Sequence, residues 1–333
     1  MKAFIIGDLH HRGDEPKCFQ VPLLMEYLEN NLNLLDYEYI IFAGDLVESV
    51  FIEHGYLSYY IDLFLNKLNK SKIIIVEGNH DKTLDTNIID IFKPIKNVRV
   101  IDKLETLKLE NTSFIFLPHY DHEGTNLDPM EVAYPKLGLE IIEKELNGYC
   151  DYGIGHITDQ TQPGTKKVDT SHLPVKQWLN GHIHNPDIKK GGNYLGSPVL
   201  NSLSESGKTP LVASIDLVSK ELKLFEVPKF VEYETIKYPE SIKKNNKIPY
   251  IIYTITDSLD KSETLNYYRK QAEELGMKLY TRRVESKKLH NIQDTNSNKD
   301  KIKNLSYKEY LSEYIKDKSV SKEVASILEE AIK

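Results

Sequence analysis

Cysteine is scarce. Cys18 and Cys150 are the two in 333 residues. They stand far apart with no Cys-x-x-Cys spacing, which excludes a disulfide-stapled scaffold and a thiolate metal cluster. Two free thiols in a reducing compartment are expected, hence a cytoplasmic protein. Long apolar runs are missing too. No stretch approaches the ~20 residues that cross a bilayer as a helix. The chain opens on a short apolar run and a charged loop rather than a leader peptide, so no membrane association is expected. Nor is positive charge in excess: 43 Lys and Arg against 50 Asp and Glu leave a net charge of −7. That excludes coating of nucleic acid by long-range attraction, though not a local basic track. No internal repeat divides the chain. Hydrophobic residues at 40% and charged residues at 28% are those of a globular protein, and the length suffices for one to three domains.

What the chain does have is a recurring punctuation. Apolar runs at residues 3–6, 39–42, 73–76, 152–154 and 178–179 read as buried strands. Shortly after each comes a glycine and then a group able to bind a metal: Gly7-Asp8-Leu9-His10, Gly44-Asp45, Gly78-Asn79-His80-Asp81, Gly155-His156 and Gly181-His182-Ile183-His184. Strand ends that deliver Asp, His and Asn to one edge of a sheet are how an α/β protein builds a site. His182 and His184 are two apart, and side chains two apart on an extended segment share a side. Both imidazoles are therefore expected to enter one cavity from one strand end.

Between these blocks the apolar spacing predicts helices over residues 21–34 and 56–69. The second carries a stripe wider than one sheet face covers, which fits either a helix packed between two neighbours or one shared with a second subunit. A strand-rich layer is expected over residues 98–117, a polar loop at 118–124 and a helix at 137–146. A hairpin turn is expected at Gly191-Gly192, and a strand pair at 211–216 and 221–226. The pattern changes near Pro228. A strand at 250–255, a helix region at 258–275 and a strand at 278–284 make a small appended unit. A polar stretch follows as a linker. Ser306-Tyr307-Lys308-Glu309 is a capping box opening one of two short amphipathic helices, at 306–316 and 322–332.

Mixed carboxylate, amide and imidazole ligands suit Mn, Fe or Zn. The candidates Asp8, His10, Asp45, Asn79, His80, His156, His182 and His184 are too many for one tetrahedral ion and suit two ions sharing a carboxylate. Two ions ~3.5–4 Å apart clamp a phosphoryl oxygen and bring bound water toward a pKa of ~7, so hydrolysis of a phosphate ester is the expected reaction. Two divalent ions, with Mn²⁺ working better than Mg²⁺, are the expected cofactors.

In order and spacing, the five blocks resemble the calcineurin-like metallophosphoesterase superfamily over residues 7–184. The resemblance implies an α/β fold of the metallophosphoesterase sandwich type. It implies that Asp8, His10, Asp45 and His184 hold one ion. Asp45, Asn79, His156 and His182 would hold the other, with Asp45 as the bridge and His80 facing the scissile phosphate. Within the superfamily the chain most resembles the SbcD-type DNA repair nuclease subunit, through Tyr194-Leu195-Gly196-Ser197-Pro198, the small appended unit and the terminal helices. That narrower resemblance implies a nuclease domain at 1–227, a DNA-facing cap at 228–285, a linker at 286–304 and an ATPase-docking segment at 305–333. The partners implied are DNA, an SbcC-like coiled-coil ATPase of the SMC family, and a second copy of the chain through the helices at 21–34 and 56–69. His11, Arg12, Lys166, Lys167, Arg282 and Arg283 are the expected DNA contacts. One departure stands out: archaeal and eukaryotic nucleases of this type carry histidine three residues after the bridging aspartate, and this chain has Glu48. Competing readings are a phosphodiesterase or phosphatase acting on a small nucleotide or phosphoprotein, and a catalytically weak adaptor between DNA and the ATPase.

Overall fold

A computed structural model of the chain describes residues 1–51, 54–83, 86–119, 129–158, 168–258 and 260–286. The expected linker from residue 287 onward, and both expected terminal helices, lie outside the described residues. In chain order the strands are β1 (Lys2–Ile6), β2 (Tyr39–Ala43), β3 (Lys72–Val76), β4 (Val98–Ile101), β5 (Glu105–Leu109), β6 (Thr112–Leu117), β7 (Cys150–Gly155), β8 (Val175–Trp178), β9 (Leu211–Asp216), β10 (Leu222–Glu226), β11 (Val231–Lys237), β12 (Tyr250–Ser258) and β13 (Tyr280–Ser286). The helices are α1 (Gln20–Leu32), α2 (His54–Asp62), α3 (Pro129–Leu146) and α4 (Lys261–Glu274).

Side-chain alternation along the strands builds the layers. On β1, Phe4 and Ile6 join the core that includes Leu24, Leu28, Leu57 and Phe64 from the helical side, while Ala3 and Ile5 face the other way. There they meet Phe114, Phe116, Tyr152 and Ile154 of a second sheet. The remaining faces of β6 and β8, through Ile115, Leu117 and Trp178, pack with Ile142 of α3. The result is helix, sheet, sheet, helix. Strands buried on both faces explain why the sequence shows continuous apolar runs instead of alternation. The first sheet has the order β10-β9-β1-β2-β3-β4 and the second β5-β6-β7-β8. β1 to β4 are parallel, as are β6 to β8, so their C-terminal ends open on shared edges.

Several expectations need adjusting. α1 stops at Leu32 because Asn33 takes a left-handed φ of 50° as its cap. α2 continues as a π-helical turn over Leu63–Lys67. Its wide stripe is covered within the chain: Leu57, Tyr60, Ile61, Phe64 and Leu68 are buried, and Phe64 packs on both Phe42 and Phe92. The 3-10 turn Ile88–Phe92, unforeseen in the sequence, supplies that second neighbour, so the stripe alone no longer argues for a partner subunit. Gly191-Gly192 is not a hairpin turn. Gly191 (φ 83°) ends a 3-10 turn, and Tyr194 then bridges in parallel to Asn180.

The appended unit is a parallel three-stranded sheet, β11-β12-β13, and β11 was not expected. Ile251, Tyr253 and Ile255 pack with Tyr268 and Ala272 of α4. Ile252, on the opposite face, packs with Tyr233 and Leu200, and Leu200 belongs to the segment that follows the last histidine block. This sheet therefore rests on the site's own surroundings. Among the described residues no helix is long and apolar enough to cross a membrane.

Candidate metal centre

The site sits where two sheets meet. The loops after β1, β2 and β3 bring Asp8, His10, Asp45, Asn79 and His80, and the loops after β7 and β8 bring His156, His182 and His184. The expected single sheet edge is thus two edges. Main-chain bonds lock the loops together: Leu9 and His10 both donate to the Asp45 carbonyl, at 3.0 and 2.9 Å. Two glycines leave room for neighbouring ligands. A Cβ on Gly44 (φ 99°) would lie 1.9 Å from His156 Nδ1, and one on Gly181 would lie 2.1 Å from Asp8 Oδ1. His10, Asp45 and His182 themselves adopt positive φ, at 42°, 34° and 72°, strain of a kind that gathers at functional sites. Because of that turn, His182 and His184 do not project from one extended segment as expected. They diverge, yet both line one cavity.

Asp45 is the hub. Its Oδ1 accepts the His80 N–H at 2.8 Å. Its Oδ2 lies 3.2 Å from His10 Nε2 and 3.1 Å from His156 Nε2. On one side, His10 Nε2 and His184 Nε2 are 2.9 Å apart, and the ligand atoms of Asp8, His10 and His184 lie within 4.8 Å of one another. On the other, Asn79 Oδ1 is 2.8 Å from His156 Nε2 and 3.1 Å from His182 Nδ1. At the first place two imidazole nitrogens face each other while both Nδ1 atoms are turned to carboxylates, an arrangement that a cation would relieve. Asp8 Oδ1 and His156 Nδ1, both fully buried, face each other at 3.2 Å.

The electrostatics agree. Burial alone would raise the Asp45 carboxyl, but His156 and then His10 hold it well below the usual range. Burial would lower His156, but the Asp45 and Asp8 charges push it well above an ordinary imidazole. Two buried carboxylates thus draw positive charge to this point. His182 goes the other way, lowered to about 4 by burial and by the charge of His156, which keeps its ring neutral and free to ligate. Oxygen and imidazole donors in this mixture fit divalent ions of the Mn, Fe and Zn kind.

Sequence reasoning missed the groups behind the ligands. His10 Nδ1 donates to Glu48 Oε2 at 2.9 Å, and His184 Nδ1 to Glu205 Oε1 at 2.9 Å. Glu205 is buried and is held in turn by Lys208 Nζ at 2.6 Å. A carboxylate on the far nitrogen of a ligating imidazole fixes its tautomer and direction. The one available signal was an acid and a lysine three apart shortly after the last block. His119, within the expected polar loop, follows β6 with its ring 5.8 Å from that of His182. Burial lowers it to about 3, with the charge of His156 adding to the effect. Asp81 accepts from Gly78 and Val47 N–H at 2.9 and 3.2 Å, tying two ligand loops. Burial, then the Asp45 charge, raises it to about 8.

The cavity above the cluster measures about 420 Å³ and is lined by His10, Asp45, Asn79, His80, His182 and His184, with Arg12 at its rim. Of the expected DNA contacts, His11 is displaced. It is 1% exposed, enclosed by Tyr56, Tyr59 and Tyr60, with Nε2 on the Cys18 carbonyl, so it offers nothing to a nucleic acid. Arg12 bridges Glu48 and Asp14. Arg282 and Arg283 are exposed on β13, and Arg283 pairs with Glu285. Lys166 and Lys167 lie outside the described residues.

No curated protein matches the chain significantly. Among solved structures, one described as a novel archaeal phosphodiesterase is 16% identical, with a TM-score of 0.36, covering 68% of this chain and 100% of its own. The family model for calcineurin-like phosphoesterases matches residues 1–214. That span takes in the second sheet, β1 to β4 of the first and every candidate ligand block, and on it the chain belongs to the calcineurin-like phosphoesterase family.

Proposed function

We propose that the chain is a two-metal phosphodiesterase that cleaves DNA. The observation that carries this reading is the convergence of His10 Nε2 and His156 Nε2 on a single oxygen, Asp45 Oδ2, at 3.2 and 3.1 Å. Asp8, His10, Asp45 and His184 would hold one ion, and Asp45, Asn79, His156 and His182 the other. When bound, such ions polarise the phosphoryl oxygens and supply a water activated for attack. His80 donates its Nδ1–H to the Glu48 carbonyl at 2.8 Å, which leaves Nε2 as the atom that can carry a proton to the leaving oxygen. Arg12, at the rim, suits an anionic backbone.

DNA as the substrate is supported by the arrangement around the cavity. It is open and polar, and the three-stranded sheet with exposed Arg282 and Arg283 packs against the segment at Leu200. In this reading residues 305–333 dock a coiled-coil ATPase, and the chain acts as a homodimer. The test offers end-labelled duplex DNA, hairpin DNA, a cyclic nucleotide and a phosphoserine peptide to the Mn²⁺-loaded protein, with and without the ATPase. Cleavage of DNA in preference to the others is expected. Turnover confined to the cyclic nucleotide or the peptide would replace DNA with a small-molecule or phosphoprotein substrate.

A further inference from the structure

We propose that Glu48 is a positioning residue that sets the direction of two histidines at once, one at the first ion position and one facing the phosphate. The proposal rests on the two-metal reading above. The Glu48 carboxylate takes the Nδ1–H of His10 at 2.9 Å, which aims Nε2 at Asp45 Oδ2 and at His184. Its main-chain carbonyl takes the Nδ1–H of His80 at 2.8 Å. Its own N–H is anchored on the His11 carbonyl at 3.1 Å. One residue thus fixes the tautomer of both rings, whose centroids are 4.8 Å apart.

The ligand atoms of His10, Glu48 and His80 also lie within 4.8 Å of one another, so Glu48 as a ligand in its own right has to be weighed. The geometry points away from it. Oε2 is occupied on the side of His10 opposite to Asp45, and Oε1 is held by Arg12 at 3.2 Å. The comparison with His184 sharpens the role. There Glu205, 5% exposed, is clamped by Ser202, the Asn201 N–H and Lys208. The Glu48 side chain is 30% exposed and its clamp is a rim arginine. The same device is rigid on one imidazole and solvent-facing on the other.

The test is titration of metal-free protein with Mn²⁺, following free Mn²⁺ by electron paramagnetic resonance, for wild type, Glu48→Ala, Glu48→Gln and Asn79→Ala. Loss of the carboxylate partner of a ligating histidine weakens metal binding by roughly 10–100-fold. Glu48→Ala should show that loss at one of two sites, the site that Asn79→Ala leaves intact, and its spectrum should shift from a coupled pair to a single ion. Glu48→Gln keeps an acceptor for the Nδ1–H and should retain most of the affinity. Wild-type binding of both ions by Glu48→Ala would overturn the proposal. So would an equal loss in Glu48→Gln and Glu48→Ala, which would make Glu48 a ligand. So would loss of both ions together. Glu48 is partly exposed, so a melting curve matching wild type is expected of both variants. Wild-type protein that binds fewer than two ions would instead refute the two-metal reading, whatever the variants do.

Discussion

Lys208→Met removes the cation from a buried pair and leaves Glu205 in place. Lys208 Nζ bonds Glu205 Oε2 at 2.6 Å and the Val199 carbonyl at 2.7 Å, with both side chains almost fully enclosed. Burial would raise Glu205, but the His184 hydrogen bond, then the Lys208 charge, lower it to about 2 from a reference of 4.5. At about 1.4 kcal/mol per unit, that depression corresponds to about 3 kcal/mol. Breaking a buried pair by removing one partner costs about 3–5 kcal/mol. Two facts reduce the figure. Burial pulls Lys208 below its ordinary value even beside Glu205, so the pair is worth less than its acid half suggests. And Glu205 keeps the His184, Ser202 and Asn201 donors. The expected loss is therefore about 2–3 kcal/mol at pH 7. Urea unfolding of the metal-free protein reports it, with the single tryptophan, Trp178 on β8, as the probe of the main sandwich. The sign with pH follows from the lowered acid. Glu205 contributes stability that is present above about 4.5 and is lost as pH falls toward about 2. In the variant that acid slope should flatten. A midpoint unchanged within error, or the wild-type slope retained, would refute the claim that this pair braces the site.

Asp45→Ala and His80→Ala should both abolish activity, but for different reasons. The first removes the shared ligand and empties the site of metal, while the second leaves metal content near wild type, as elemental analysis of the purified variants can check. Exhaustive chelation should abolish phosphoester hydrolysis and Mn²⁺ should restore it better than Mg²⁺; activity that survives chelation would sink the two-ion reading. Both cysteines are buried, and burial pushes the Cys150 thiol up to about 12 and raises Cys18 as well. A disulfide reagent at pH 8 should accordingly label the native protein slowly and find both thiols at once in denaturant; fast native labelling would contradict the packing. Gly153→Ala places a Cβ 2.2 Å from the Trp178 ring and should destabilise the second sheet by about 1–3 kcal/mol, read as an earlier loss of the tryptophan signal.

The ligand blocks were legible because each is local: an apolar run, a glycine and a donor within a few residues. That the blocks belong to two sheets was not, because strand pairing is set by long-range contacts that the runs themselves do not encode. Glu205 and Lys208 escaped for a related reason. They lie in a turn without periodicity, and only the tertiary fold turns an ordinary surface-looking acid and base into a buried pair. His11 was misread because the tyrosines that enclose it come from α2, more than forty residues on. β11 opens by alternating buried Val231 and Tyr233 with Glu232 and Glu234, but the proline before it read as a boundary and masked the strand. The histidine pair after β8 lines one cavity but not from an extended segment, since nothing in Gly181-His182 announces a φ of 72° on the histidine.

The division of the candidate ligands between two sheets would make any bound ion a rivet. Asp8, His10, Asp45 and Asn79 belong to one sheet's loops, and His156, His182 and His184 to the other's. The apolar contact between the slabs has no direction, and directed bonds such as Thr112 Oγ1 to the Leu217 carbonyl at 2.8 Å and the His182 N–H to Asp8 Oδ2 at 2.6 Å add to it. An ion with ligands on both fixes their relative slide to within a bond length. Because the unfolded chain offers no such set, each ion would also add folding free energy, about 2.7 kcal/mol when present at a hundredfold its dissociation constant. Metal supply would then govern how long the sandwich survives as well as whether it turns over.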